Sequence, residues 1–445
     1  MRNLVSLLML VLVGCGPSGR NPNGNTDGST VDGHNGPLGT LTGKVYAPNQ
    51  GPGQAAPGQE IPIAGALVHA NVDAPAPIPD GVYCEPCVET PAGGTVSGAD
   101  GGFSLAVPPG TYWITIQKGQ YRVDHQVTVA AGSVALDASM TTLPSQWNPG
   151  LHMWMPRIAM ATGTDDRIED ILAKLGVGSQ SGNNYDGPIG ENGASELTVV
   201  GYGGSGPGSV TYLLNNLAEM RKYHIIFFPC ATSMGSLNTL LKNQTVLGNV
   251  RRYVNEGGKL YVTDWSGEVS DRAFPPQIEL GGFGTDSEGT YDPVALTGTL
   301  TTSGDADGEH YSIDDGKAID PDLNAWLGLQ MGPRQGGGVG MYDADDFDIT
   351  GLYNWINQLT PVVLATDGNG QPIYDTPKAW VTGSGPGGNK PVAVTFAPTG
   401  CGKVLYTAFQ TANSSHAGLY EQERVLLYLI MEIQTCTDNP IELAP

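Results

Sequence analysis

YHIIFFPC (residues 223–230) and VRRYVNEGGKLYVTDWSGE (residues 250–268) decide the fold of this chain. His224 to Phe228 is a short, mostly apolar run with the signature of a strand buried on both faces, and Lys259 to Thr263 is a second. Between them Val246, Val250 and Tyr253 recur at helical spacing, and Gly257-Gly258 stop the helix where its cap needs a positive φ. Strand, helix and strand in this order make a crossover unit of a parallel sheet. In such sheets ligands gather beyond the carboxyl ends of the strands. Those ends are Pro229-Cys230-Ala231 and Asp264-Trp265-Ser266, so an active site is expected there.

The same period extends outward. RIAMAT is a strand, Thr164-Asp165-Asp166 caps a helix with Ile168, Ile171, Leu172 and Leu175 inward, and ELTVVG is a second strand. A further helix turns Val210, Leu213, Leu214, Leu217 and Met220 to the core. The β-α-β-α-β-α-β order predicts an α/β doubly wound, flavodoxin-like parallel sheet over residues 156–437. Residues 269–390 are Gly-rich and poorly periodic, and read as a long, loop-rich insertion in it. PVAVTF, KVLYTAF and a helix through QERVLLYLIMEI then resume the pattern.

Residues 38–142 have another character. LTGKVY, GALVHANV, FSLAV, TYWITIQ and HQVTVA are short runs separated by turn clusters, the pattern of an all-β sandwich. Asp100-Gly101-Gly102 makes one turn and Pro108-Pro109-Gly110 the next, with Phe103, Leu105 and Val107 on one face between them. Together with Tyr112, Gly43 and residues 64–68, these positions resemble the carboxypeptidase regulatory-like domain, a transthyretin-like sandwich that is non-catalytic in its family. Residues 16–37 hold almost no apolar residue and read as a flexible tether.

Arg2, the apolar run Leu4 to Val13, and Leu12-Val13-Gly14-Cys15 resemble a bacterial lipoprotein leader and its lipobox (residues 1–15). The resemblance implies lipidation at Cys15, and Gly16 rather than Asp after it implies sorting to the outer membrane. The chain would then meet the membrane through its lipid, on the periplasmic or the cell-surface side. The 445 residues carry a formal net charge of −23 with 15% charged residues, which argues against a nucleic-acid partner. No cofactor is expected. Calcium is the one possibility the acids raise, at Asp305, Asp307 and Glu309, or at Asp343, Asp345 and Asp346, although neither group has helix-loop-helix spacing.

Cysteine pairing is read from spacing. Cys84-Glu85-Pro86-Cys87 lacks the His that a c-type haem site needs, lacks a second ligand pair for zinc, and lies in a β-domain loop. A Cys84–Cys87 disulfide is expected. Cys401 and Cys436 flank a strand and a helix of nearly equal length, which predicts a second disulfide and leaves Cys230 as the unpaired thiol.

The α/β half resembles the class I glutamine amidotransferase-like superfamily, near its trehalose-utilisation-like branch. RIAMATG, YHIIFFPC, VRRYVNEGGKLYVTDWSGE and GKVLYTAFQTANSSH carry that resemblance. Catalytic members have a Cys nucleophile on the sharp turn after the strand matching Lys259–Thr263, and here that turn carries Asp264, Trp265 and Ser266. The oxyanion glycines are replaced by Pro229-Cys230-Ala231, and the late His-x-Glu pair is missing, with His416 in its region. Two readings stay open. One is an envelope binding or structural module that has lost catalysis and takes a polysaccharide or protein ligand. The other is a surface hydrolase using Cys230 or Ser266 with His416 and Asp264.

Overall fold

The computed structural model describes residues 36–85, 90–91, 93–163, 165–177, 197–230, 234–275, 277–281, 289–292, 295–300, 311–385, 388–398, 400–411 and 416–433. Its architecture is strand-rich and built from several sheets. Among the described residues, eight strands form the N-terminal part: β1 (Gly39–Lys44), β2 (Leu67–Asn71), β3 (Gly94–Val96), β4 (Gly102–Val107), β5 (Gly110–Lys118), β6 (Tyr121–Val129), β7 (Gly132–Ala135) and β8 (Met153–Trp154). They make a three-stranded sheet ordered β4-β1-β7 and a five-stranded sheet ordered β3-β2-β5-β6-β8. Phe103, Leu105 and Val107 on β4 are buried, as their alternation predicts, and so are Ile114 and Ile116 on β5. The short helix α1 (Ala138–Thr141) ends this part before the connection to β8.

The second part is organised by one nine-stranded sheet. Its parallel half is β9 (Ile158–Ala161), β10 (Leu197–Val200), β11 (Ile225–Phe228), β12 (Lys259–Thr263) and β25 (Lys403–Thr407), in spatial order β10-β9-β11-β12-β25. Every residue of β9, β11 and β12 is buried, which is why these runs lack alternation. Helices α2 (Ile168–Lys174), α3 (Val210–Asn215), α4 (Leu217–Met220), α5 (Met234–Leu241), α6 (Gln244–Asn255), α7 (Glu268–Ala273), α8 (Pro321–Leu327) and α9 (Glu421–Ile433) complete this part. In α6 the Asn243 side chain accepts from the Thr245 N–H at 2.9 Å, and Val246, Leu247, Val250, Tyr253 and Val254 are buried. The helix stops at Gly257, whose φ is +105°.

The described residues between 269 and 390 are rich in strands, contrary to the expectation of a loop-rich insertion. They hold β13 (Ile278–Gly281), β14 (Gly289–Asp292), β15 (Thr297–Leu300), β16 (Tyr311–Ala318), β17 (Met331–Pro333), β18 (Val339–Met341), β19 (Phe347–Leu352), β20 (Trp355–Leu359), β21 (Val362–Thr366), β22 (Pro372–Asp375), β23 (Lys378–Gly385) and the start of β24 (Gly388–Phe396). Four of them, β24, β23, β16 and β19, extend the parallel half beyond β25 as antiparallel strands. The others pair as two-stranded ribbons, β13 with β20, β14 with β15, β17 with β18 and β21 with β22. Register shifts interrupt β16, β21 and β23, so no steady alternation marks these strands in the sequence.

The disulfide differs from the pairing expected from spacing. Cys84 bonds Cys401, with a Cα separation of 5.7 Å and a sequence separation of 317. Neither Cys84–Cys87 nor Cys401–Cys436 is therefore formed, while Cys87 and Cys436 lie outside the described residues. The cause is docking that spacing cannot reveal. Residues 81–84 run along the amino ends of β11 and β12, where the Val82 N–H donates to the Arg221 carbonyl at 2.9 Å. Gly257 lies so close to the Tyr83 carbonyl that a Cβ there has no room. Cys401 precedes β25, the neighbour of β12, so both sulfurs reach the same end of the sheet. Around this joint His224 is fully buried, its Nδ1 accepting from the Arg157 N–H at 2.8 Å and its Nε2 lying 2.9 Å from the Pro79 carbonyl. Burial holds its imidazole down at about 4. A buried ion pair, Lys118 Nζ to Glu432 Oε2 at 2.7 Å, ties β5 to α9. Among the described residues no helix is long and apolar enough to cross a membrane.

Candidate functional site

The carboxyl ends of β9, β11, β12 and β25 converge on one buried polar network, and Asp166 is its hub. Its Oδ2 accepts from Thr263 Oγ1 at 2.6 Å, and its Oδ1 accepts from the Thr411 N–H at 3.1 Å and from Thr411 Oγ1 at 2.8 Å. Thr263 Oγ1 in turn accepts from the Cys230 N–H at 2.9 Å. One carboxyl group thus links four strand ends. The sequence places Asp166 in a helix cap, but α2 begins only at Ile168, with Arg167 at its N-cap. A Thr closing each of two strands, Thr263 and Thr407-x-x-x-Thr411, was the available signal, since a buried carboxylate needs such donors. Burial raises the Asp166 carboxyl above its ordinary range, against the hydrogen bonds from Thr263 and Thr411.

Asp264 follows β12 directly. It is fully buried and sits at φ +48°, a left-handed conformation on a sharp 3-10 turn, Asp264–Gly267. Its Oδ2 accepts from Gln410 Nε2 at 2.9 Å and from the Tyr353 N–H at 3.1 Å. Burial pushes its carboxyl well above the usual range, and Asp166 and Asp165 push it further. Trp265, next in the chain, lies with its ring centroid 5.0 Å from that of Tyr353, so two half-buried aromatic rings cover the turn.

The other sequence candidates are engaged elsewhere. The buried Cys230 thiol is free of disulfide, and burial pushes it far above the normal thiol range. A thiol held in that way is a poor nucleophile. Ser266 Oγ donates to the Pro229 carbonyl at 2.9 Å. His416 is brought to Glu423, seven residues later: its Nε2 lies 2.7 Å from Glu423 Oε2, and Tyr420 stacks on the ring at 3.9 Å. Lys174 Nζ lies 3.2 Å from the same Nε2 and 2.7 Å from Asp170 Oδ2. A His-carboxylate pair therefore exists, at a spacing of seven residues rather than two.

Asp170, His416 and Glu423 each offer one ligand atom, all within 4.8 Å of one another. The Lys174 ammonium lies among them, so the carboxylates already have an internal cation. A His nitrogen and two carboxylates are also unlike the six to eight oxygens that calcium takes. The cluster is an ion network that fastens α2 to the start of α9. Asp305, Asp307 and Glu309 lie outside the described residues. Asp343 and Asp345 serve their own turn: Asp343 Oδ1 accepts from the Asp345 N–H at 3.0 Å, and Asp345 Oδ1 pairs with Lys317 Nζ at 3.0 Å.

No known protein family matches the sequence, and no curated protein does. Among solved structures a cytoplasmic protein from Salmonella typhimurium, STM3548, aligns with 53% of this chain and 80% of its own, at 9% identity and a TM-score of 0.26. A likeness at that level carries no argument about fold or function.

Proposed function

We propose that this chain is an outer-membrane lipoprotein, lipidated at Cys15, that acts as a binding or structural module. On this reading the β-rich N-terminal part is a carboxypeptidase regulatory-like sandwich. The second part is a flavodoxin-like, amidotransferase-like domain that has lost catalysis. The strand order β10-β9-β11-β12-β25 supports the comparison, because it is the doubly wound order 2-1-3-4-5. The observation that carries the loss of catalysis is Asp264. A fully buried carboxyl, capped by Gln410 and the Tyr353 N–H, stands on the turn where a nucleophile would need to be open to substrate. The ligand class we favour is a polysaccharide or a protein. The deciding experiment incubates the purified chain with glutamine and with ester and amide substrates, beside Cys230→Ala, Asp264→Ala and Ser266→Ala. Turnover abolished by one of these substitutions would refute the reading. For the anchor, Cys15→Ser is expected to leave the membrane fraction or to persist as an uncleaved precursor.

The hydrolase reading keeps one supporting observation. Asp264 sits in the strained, left-handed backbone that a nucleophile turn uses, and strain of that kind gathers at functional sites. The same substrate panel tests it.

A further inference from the structure

Asp264 Oδ1 and Gln410 Oε1 are both buried without a hydrogen-bond partner, and both residues are fully buried. Each is an acceptor when the acid is ionised, and stranding two acceptors in the interior is costly. They belong to one pair, already joined on its other side by Gln410 Nε2 donating to Asp264 Oδ2 at 2.9 Å. One proton placed between Oδ1 and Oε1 would satisfy both.

We propose that Asp264 and Gln410 form a cyclic acid–amide pair that works as a pH-sensitive latch: the carboxyl bears its proton on Oδ1 and donates it to Gln410 Oε1, while Gln410 Nε2 donates back to Oδ2. The pair fastens three elements. Tyr353, in the turn between β19 and β20, donates its N–H to Oδ2 at 3.1 Å, and Asn354 Nδ2 approaches the Asp264 carbonyl at 3.4 Å. Gln422 on α9 donates through Nε2 to the Gln410 carbonyl, and its Oε1 accepts from the Thr350 N–H at 2.9 Å. The β19–β20 turn, the segment after β25 and the start of α9 are therefore held to the turn after β12.

The surroundings favour the neutral acid. The titratable groups facing it are Asp165 and Asp166 after β9, the Cys230 thiol after β11 and the Tyr353 phenol. Two are carboxyls, and no cation is among these groups. Removing the proton turns Oδ1 and Oε1 into opposed acceptors and sets a third carboxylate beside two others. The latch then opens, and Tyr353 is released from Trp265. It would operate equally in a binder and in an enzyme, so its failure leaves the proposed function untouched.

Asp264→Asn tests the pair. An Asn amide donates to Gln410 Oε1 and accepts from Nε2 without any titrating proton, and Asn tolerates a positive φ better than most residues. We expect the variant to fold and to match the wild type near pH 4. Its advantage in the unfolding constant should then grow up to tenfold per pH unit above the ordinary carboxyl pKa of 3.8. An advantage that stays flat, or a variant that loses stability against the wild type as pH rises, would overturn the pair. Should the variant fail to fold, hydrogen exchange of the wild-type 350–356 segment decides. Loss of Tyr353 amide protection steeper than intrinsic base catalysis up to pH 9 supports the latch, and a purely intrinsic slope refutes it.

Discussion

Removing the Cys84–Cys401 disulfide by a double Cys84→Ser/Cys401→Ser substitution should weaken the whole chain, and the size of the loss follows from the ring it closes. Both sulfurs must go, since a single change would leave Cys84 beside Cys87 in sequence and free to pair again. The bonded residues are 317 apart. Chain entropy for a loop of that length gives about 5–6 kcal/mol at 25 °C, and measured disulfides commonly deliver less, so roughly 2–5 kcal/mol is expected. The docked geometry survives in part without the bond, because Val82 still donates to Arg221 and Trp326 Nε1 still donates to the Pro62 carbonyl at 2.7 Å. The variant should therefore fold, with a lower urea midpoint and a somewhat steeper slope, because the unfolded chain without the cross-link exposes more surface. Peptide mapping without reduction should recover Cys84 joined to Cys401 in the wild type. Recovery of Cys84 joined to Cys87, or a variant midpoint equal to that of the wild type, would refute the reasoning.

Three other outcomes are expected. His224 is held neutral in the fold at about 4 against an ordinary 6.5, so the unfolded chain binds the extra proton between those values. Its contribution is complete above pH 6.5 and is lost as pH falls towards 4, by about 3 kcal/mol in all; the wild-type stability minus that of His224→Gln, followed by urea titration, should show this slope. Asp166→Ala takes the acceptor away from the Thr263 and Thr411 O–H groups and from the Thr411 N–H, and should cost roughly 1–3 kcal/mol for each donor left unsatisfied, read as a lowered denaturation midpoint. Lys118→Met takes the 2.7 Å partner away from the buried Glu432 carboxylate and should cost up to roughly 3–5 kcal/mol, whereas Lys118→Met with Glu432→Leu should recover most of it; a double substitution no better than the single one would contradict a stabilising pair.

The parts of the fold that were legible share one property: their signal is local. Ile225–Phe228 and Lys259–Thr263 read as buried strands because each is an apolar run set between turn residues, and Phe103, Leu105 and Val107 gave their face by alternation. The antiparallel strands after α7 were missed because Gly, Ser and Asp fill their exposed positions and register shifts break their period. The site was legible as a place and not as chemistry. Strand order put it at Cys230 and Asp264, but the partners of Asp264, Gln410 and Tyr353, are 146 and 89 residues away. The Cys84–Cys401 bond was hidden for the same reason, since it depends on a surface loop meeting Gly257.

The disulfide also changes how the chain carries load. A pull between the chain's two ends runs along the backbone to Cys84, crosses to Cys401 through the sulfurs, and leaves by α9. Every residue between the two cysteines hangs on the ring as slack that tension never reaches. At about 3.3–3.6 Å per extended residue, a 317-residue separation stores on the order of 1,000 Å of contour length. Strands β3 to β24 and helices α1 to α8 all lie within that stored length. Stretched under oxidising conditions, the protein yields only the part before Cys84, which carries β1 and β2, and the part after Cys401, which carries β25 and α9; under reducing conditions the same force can draw out the rest of the sheet.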